Sequence, residues 1–128
     1  MARRVLAEEP NVRWAYAFGS TVRGGPFRDV DVAVMPTSDV PLAELGAWIA
    51  ALEQAVGCKV DLVDLTTAEL PFVGPMLRER RVLVDREPAA RHAWEASTTS
   101  RWLDFEPSYR EFLARRERAA RLRRERSA

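Results

Sequence analysis

The chain carries one cysteine, one histidine and one lysine among 128 residues. Cys58 has no second thiol to meet, so no internal disulfide can form. Cys58 and His92 fall short of the ligand set of an ordinary structural zinc site. No apolar run approaches the about 18 residues that a membrane-spanning helix requires, so no membrane partner is expected. Met1 to Glu9 lack the apolar centre of a secretion signal, and a cytoplasmic location is expected. Hydrophobic residues make up 47% of the chain. That is too many for disorder over most of its length, and the chain is long enough for one domain with a buried core. The net charge of +1 hides an asymmetry: Arg110 to Arg126 hold eight arginines against three glutamates, so this stretch carries +5 and the remainder −4.

The pattern of apolar residues predicts alternating elements. A helix near residues 2–9 precedes a strand near 12–18, and a second strand covers 29–35. Leu42, Leu45, Trp48, Ile49, Leu52 and Val56 recur at spacings of three and four, which predicts an amphipathic helix. Ser38 or Asp39 is its expected N-cap and Gly57 its stop. A strand at 58–64 follows. Thr66 or Thr67 is expected to cap the next segment, with Glu69 placed for a capping box. Pro71, Gly74 and Pro75 predict that this segment splits into two short helices. A last strand falls at 81–85. The tail predicts two helices joined near Asp104 to Pro107. The fold class is therefore α/β, a small mixed sheet flanked by helices, with a C-terminal helical extension. The division expected is a core over 1–88 and an arginine-rich extension over 89–128.

The residues that carry chemistry cluster around one turn. Gly19 and Ser20 end the apolar run Trp14 to Phe18, and Asp29 and Asp31 open the next one. Side chains two apart on a strand share a face, so Asp29 and Asp31 project together while Val30, Val32 and Val34 turn to the core. Two such carboxylates repel each other, and a bound cation removes the conflict. Magnesium is usually held by one or two carboxylates plus substrate phosphates. Asp61, in the apolar run Lys59 to Val63, would complete a two-metal clamp for displacement at phosphorus. Asp64 is a nearby competitor, but it is expected on the opposite face and reads as structural. Glycine at position 19 lets the backbone take positive φ and approach a ligand closely. Ser20 offers a hydroxyl donor and the start of a helical turn suited to a phosphate. Arg23 is divided between a phosphate contact and a surface salt bridge.

Together, Ala17 to Gly24, then Asp29-Val30-Asp31, resemble the signature of the DNA polymerase beta nucleotidyltransferase superfamily. The small size points to its minimal, MNT-type members. Val60 to Leu65 and Arg81 to Val84 are similar to the third-carboxylate strand and closing strand of that group. The resemblance covers roughly residues 1–88. It implies catalytic and metal-binding roles for Asp29, Asp31 and Asp61, with two magnesium ions, and nucleotide contacts from Gly19, Ser20 and Arg23, with ATP as substrate. Thr21 to Arg28 make a shorter gap between serine and aspartate than most relatives have. That puts contacts from the loop Gly25 to Arg28 in doubt. The group typically pairs with helical HEPN-type proteins as toxin–antitoxin systems, and some members transfer AMP to a tyrosine of the toxin. The resemblance thus implies a type VII-like antitoxin whose acceptor is a HEPN-type protein.

Alternatives stay open. One is nucleotidyl transfer to a small hydroxylated molecule such as an aminoglycoside. The other is a contact-only antitoxin with weak or no catalysis. The four tryptophans are expected in core or interface packing, and His92 on a helix surface. The apolar stripe of the tail and its basic end are candidates for a partner surface or a homodimer contact, with nucleic acid the least favoured partner.

Overall fold

The structure, a computed structural model, describes residues 2–23 and 29–127; for Ser20 and Arg23 it describes the backbone alone. The elements run α1 (Ala2–Ala7), β1 (Val12–Phe18), α2 (Ser20–Arg23), β2 (Asp29–Pro36), α3 (Leu42–Val56), β3 (Lys59–Asp64), α4 (Leu70–Met76), β4 (Arg80–Asp85) and α5 (Pro88–Ser127). The four strands lie in the order β3-β2-β1-β4. β1 pairs antiparallel with β2 and β4, and β2 pairs parallel with β3. This is the mixed sheet expected. The parallel pair needs a crossover, and α3 supplies it.

Strand alternation divides the core into two layers. Val30, Val32, Val34 and Val60 face one side, with Leu6 of α1 and Trp48 and Leu52 of α3. Trp14, Tyr16, Ala33 and Met35 face the other, with Val73 and Met76 of α4. The candidate carboxylates belong to this second face, because Asp29, Asp31, Ala33 and Met35 alternate along β2.

Local details depart from expectation in several places. α3 has Pro41 at its N-cap position and no side-chain cap; the fixed proline φ already sets the chain's entry, and neither Ser38 nor Asp39 caps it. Leu42, expected in the apolar stripe, is exposed. Gly57 ends α3 as expected, in the left-handed region at φ 78° with its N–H bonded to Glu53 O. Thr66 does not cap α4; its N–H and hydroxyl both bond Asp64 Oδ1, at 2.9 and 2.6 Å, and Glu69 takes the N-cap position without a side-chain bond.

α4 is one helix, not two, and keeps Pro71, Gly74 and Pro75 inside it. Pro71 sits in the first turn, where no N–H bond is lost. Gly74 is there because Trp102 lies against it: a Cβ at this position would fall 2.3 Å from the indole. α5 is likewise one helix of 40 residues, about 60 Å long. Pro107 breaks a backbone bond, yet the helix continues. Trp102, Phe105 and Tyr109 pack on one another across the proline with ring centroids 5.6–6.4 Å apart. Glu106 adds an ion pair to Arg110 at 2.9 Å.

The first turns of α5 are tied to the sheet by charge. Glu95, whose side chain is 13% exposed, accepts from Tyr16 Oη at 2.7 Å, Arg80 Nη2 at 2.9 Å and Arg91 Nη1 at 3.0 Å. Arg91 also reaches Asp85 at 2.9 Å. Burial pulls the Glu95 carboxyl upward, but the bonds from Arg80, Tyr16 and Arg91 outweigh it and hold the group below its ordinary value. Burial and then the Glu95 bond push the Tyr16 phenol far up, so it stays protonated as a donor. His92 lies beside Arg91 on the helix, with Nε2 3.0 Å from Nη2.

Candidate active site

β1 ends at Phe18, and Gly19 turns the chain at φ 62°. A residue with a Cβ is strained in that region. The turn closes with the Val22 N–H on Gly19 O at 3.1 Å. A Cβ on Gly19 would stand 3.0 Å from Asp31 Oδ2. Glycine is therefore required twice, for its φ and for the carboxylate seated against it. Thr21 ties the turn to the strand, its Oγ1 accepting the Asp31 N–H at 2.8 Å.

Strand register decides which carboxylates meet. Asp31 is paired with Phe18 on the β1 side and with Asp61 on the β3 side. Registered residues on neighbouring strands share a face, so Asp31 and Asp61 stand side by side above the sheet. Asp29 lies two residues along that face, paired with Lys59. Asp29 and Asp31 are half-buried and Asp61 is exposed. Val30 and Val60, which precede Asp31 and Asp61 in sequence, are buried on the opposite side. Burial of those valines fixes the register and with it the direction of the acidic groups. Asp64 accepts the two bonds from Thr66 that shape the next turn.

Gly19, Asp29, Asp31 and Asp61 are thus gathered at one end of the sheet. The side chains of Ser20 and Arg23, and the loop Gly25 to Arg28, lie outside what is described. Two neighbours escaped the sequence reading. Thr21 anchors Asp31, and its only signal was its place after Gly-Ser. Lys59 faces Asp29 through parallel pairing, which periodicity alone does not register.

The donor set suits a hard divalent cation. Among the described residues, no three histidine, cysteine or acidic side chains form a ready-made metal cage. Magnesium does not require one, since it keeps waters and substrate phosphates beside one or two carboxylates. A cavity of about 400 Å³ opens on the α1/α3 side of the sheet, with Ala17, Thr21, Val30, Val56, Cys58 and Leu83 in its lining. Thr21, which accepts the Asp31 N–H, reaches this cavity from the glycine turn.

No curated protein sequence matches the chain significantly. Solved structures do match its fold. An MNT antitoxin in complex with a tri-AMPylated HEPN toxin of Shewanella oneidensis is 20% identical, with a TM-score of 0.67 and 82% of each chain covered. A toxin–antitoxin pair named MntA-HepT matches at 19% identity and TM-score 0.68, covering 87% of this chain and 89% of that one. A toxin–antitoxin structure with AMP-PNP matches at 21% identity and TM-score 0.65, covering 91% and 90%. At such identities the likeness speaks to fold. The family model for polymerase beta nucleotidyltransferases matches residues 2–89, the span that holds the sheet, the glycine turn and all three carboxylates. The chain belongs to the polymerase beta nucleotidyltransferase family.

Proposed function

We propose that this nucleotidyltransferase moves AMP from ATP to a tyrosine hydroxyl of a HEPN-type toxin, as its cytoplasmic antitoxin. The observation that carries the reading is the register of Asp31 beside Asp61, with the Asp31 carboxylate seated against Gly19. Support for adenylate and for the partner comes from the tri-AMPylated HEPN toxin and the AMP-PNP complex among its structural neighbours.

Asp29 and Asp31 would hold magnesium, with Asp61 joining them for a second ion. Bound there, the ions supply charge neutralisation at the phosphates. The chain's own residues do the rest. Gly19, having no side chain, lets the triphosphate approach the turn, where Ser20 and Arg23 would contact it. Asp61 accepts the proton of the acceptor hydroxyl. The acceptor oxygen then bonds to the α-phosphorus as the bond to pyrophosphate breaks, giving a phosphodiester and free pyrophosphate. Positioning accounts for most of the rate in such transfers. Residues 1–88 would form the catalytic unit and 89–128 an extension that meets the partner.

One observation favours an added contact role. Phe112, Leu113 and Leu122 are exposed on the basic end of α5, so neutralisation has a second source besides AMP transfer. The deciding experiment incubates the chain with ATP, magnesium and a HEPN-type protein, then measures the HEPN protein's intact mass. The reading expects a gain of AMP on tyrosine, absent with Asp29→Asn/Asp31→Asn. An unmodified HEPN protein that is still neutralised would leave contact alone as the mechanism.

A further inference from the structure

On the α1/α3 side of the sheet, the cavity of about 400 Å³ that Thr21 reaches has no part in the proposed transfer. It exists because the side chains that meet there are short: Ala2 of α1, Ala17 of β1 and Ala55 of α3. Val30, Val56 and Leu83 complete an apolar wall. Its size falls within the range of about 300–1,000 Å³ typical of small-molecule sites. We propose that the cavity binds an aliphatic monocarboxylate and that the bound molecule steadies the glycine turn through Thr21.

The lining selects the class of ligand. Polar side chains are few there: Thr21, Cys58 and Arg81. A sugar or a nucleotide would bury hydroxyl and amide groups against alanine, valine and leucine, without hydrogen-bond partners. A hydrocarbon chain gains from the same walls. No aromatic ring lines the cavity among the described residues, so nothing there favours a stacked ring over a flexible chain. Arg81 sets the charge of the head group. It is exposed, and among the described residues it has no ion pair. One guanidinium suits one carboxylate, which it can hold through two parallel N–H donors.

Thr21 connects the cavity to the turn. Its Oγ1 accepts the Asp31 N–H at 2.8 Å, which leaves its hydroxyl proton to donate. Antiparallel pairing sets Ala17 beside Arg81, next to the turn at Gly19. The cation and Thr21 thus belong to the same end of the sheet. A carboxylate held by both is one hydrogen bond from the Asp31 backbone. A turn pinned from this side holds Asp31 more firmly, so the occupant and magnesium-ATP favour each other's binding. This coupling rests on the proposed placing of metal and triphosphate at the turn; the binding site itself does not.

Cys58, the chain's single thiol, lines the cavity and reports its occupancy. Its alkylation by iodoacetamide is followed by intact mass in the full chain, with hexanoate, octanoate and 1-octanol as probes. The proposal expects saturable protection by octanoate, about tenfold tighter than by hexanoate for the added methylenes. Arg81→Gln should weaken octanoate about fivefold and leave 1-octanol unchanged, with thermal melts to confirm folding. No protection by octanoate, or undiminished octanoate affinity in Arg81→Gln, would overturn the site. Calorimetry of magnesium-ATP with and without saturating octanoate tests the coupling. ATP should bind at least about fivefold more tightly with octanoate present, and Thr21→Val should remove that gain while Cys58 stays protected. Unchanged ATP affinity with octanoate bound would overturn the coupling. A chain that binds no ATP in either condition would overturn the nucleotidyltransferase reading itself, a separate failure, and protection of Cys58 would still decide the site.

Discussion

Replacing Gly19 with alanine separates the cost of folding from the cost of function. Two penalties fall on the one methyl group. The backbone at φ 62° is in the left-handed region, which disfavours an L-residue by about 1–2 kcal/mol. The methyl carbon would also stand 3.0 Å from Asp31 Oδ2, closer than ordinary packing allows. The carboxylate is the movable end of that contact, so it gives way by a few tenths of an ångström. The Thr21 bond to the Asp31 N–H, at 2.8 Å, holds the backbone in place. Stability should therefore fall by about 1–2 kcal/mol, a drop in Tm of roughly 4–10 °C for a chain of this size. Nucleotidyl transfer should fall more, by at least about tenfold below Tm, because small misplacements of reacting groups cost about that much or more. Denaturant melts and initial transfer rates measure the two separately. A normal transfer rate in a Gly19→Ala protein that shows the expected loss of stability would refute the placement of Asp31 at the reacting centre.

Other perturbations follow from the same contacts. Gly74→Ala would drive a methyl group into the Trp102 indole and should cost about 1–3 kcal/mol by overpacking, read from urea melts; an unchanged midpoint would mean that α4 and α5 are not so closely packed. Glu95→Gln should cost about 2 kcal/mol at neutral pH, since it removes the carboxylate partner of half-buried Arg80 and one of the two carboxylates on buried Arg91. Because the Glu95 carboxyl is held below its ordinary value, its stabilisation is complete above about pH 4.3, the ordinary glutamate value, and is lost as pH falls through the depressed one. Melts from pH 7 to pH 2 should show a shallower acid limb in the glutamine variant. Ending the chain after Tyr109 removes the stretch of +5 whose side chains are mostly exposed. Tm should move little, while affinity for the proposed HEPN-type partner drops; a large loss of Tm would show that the end of α5 packs on the core.

The sheet was legible because its strands follow a simple alternation. Val30, Val32 and Val34 turn one way and Asp29 and Asp31 the other, and the sequence displays that directly. The mixed sheet and Gly57 as the stop of α3 were readable for similar reasons: local chemistry decides them. The prolines misled in both places where tertiary contacts outweigh local preference. Pro107 sits inside α5 because rings on either side of it pack together. Gly74 sits in α4 because Trp102, nearly thirty residues away, occupies the space a side chain would need, while Pro71 is accommodated in the first turn. Caps failed at Ser38, Asp39 and Thr66 because Pro41 takes the N-cap position of α3 and Asp64 draws Thr66 back into the preceding turn. In the candidate site, the acidic residue types were visible in sequence, whereas Lys59 opposite Asp29 depends on the parallel register of β2 and β3. Register across a crossover is a property of the packed sheet, and no local pattern encodes it.

The central claim is nucleotidyl transfer centred on Asp29, Asp31 and Asp61, and it is tested most directly by where the label of ATP goes. Parallel reactions with α-labelled and γ-labelled ATP, magnesium and a HEPN-type protein as the proposed acceptor give the answer. The account predicts label on the HEPN protein from the α position alone, with pyrophosphate released and all transfer lost in Asp29→Asn/Asp31→Asn. Label from the γ position, or α-label that persists in the double variant, would contradict it.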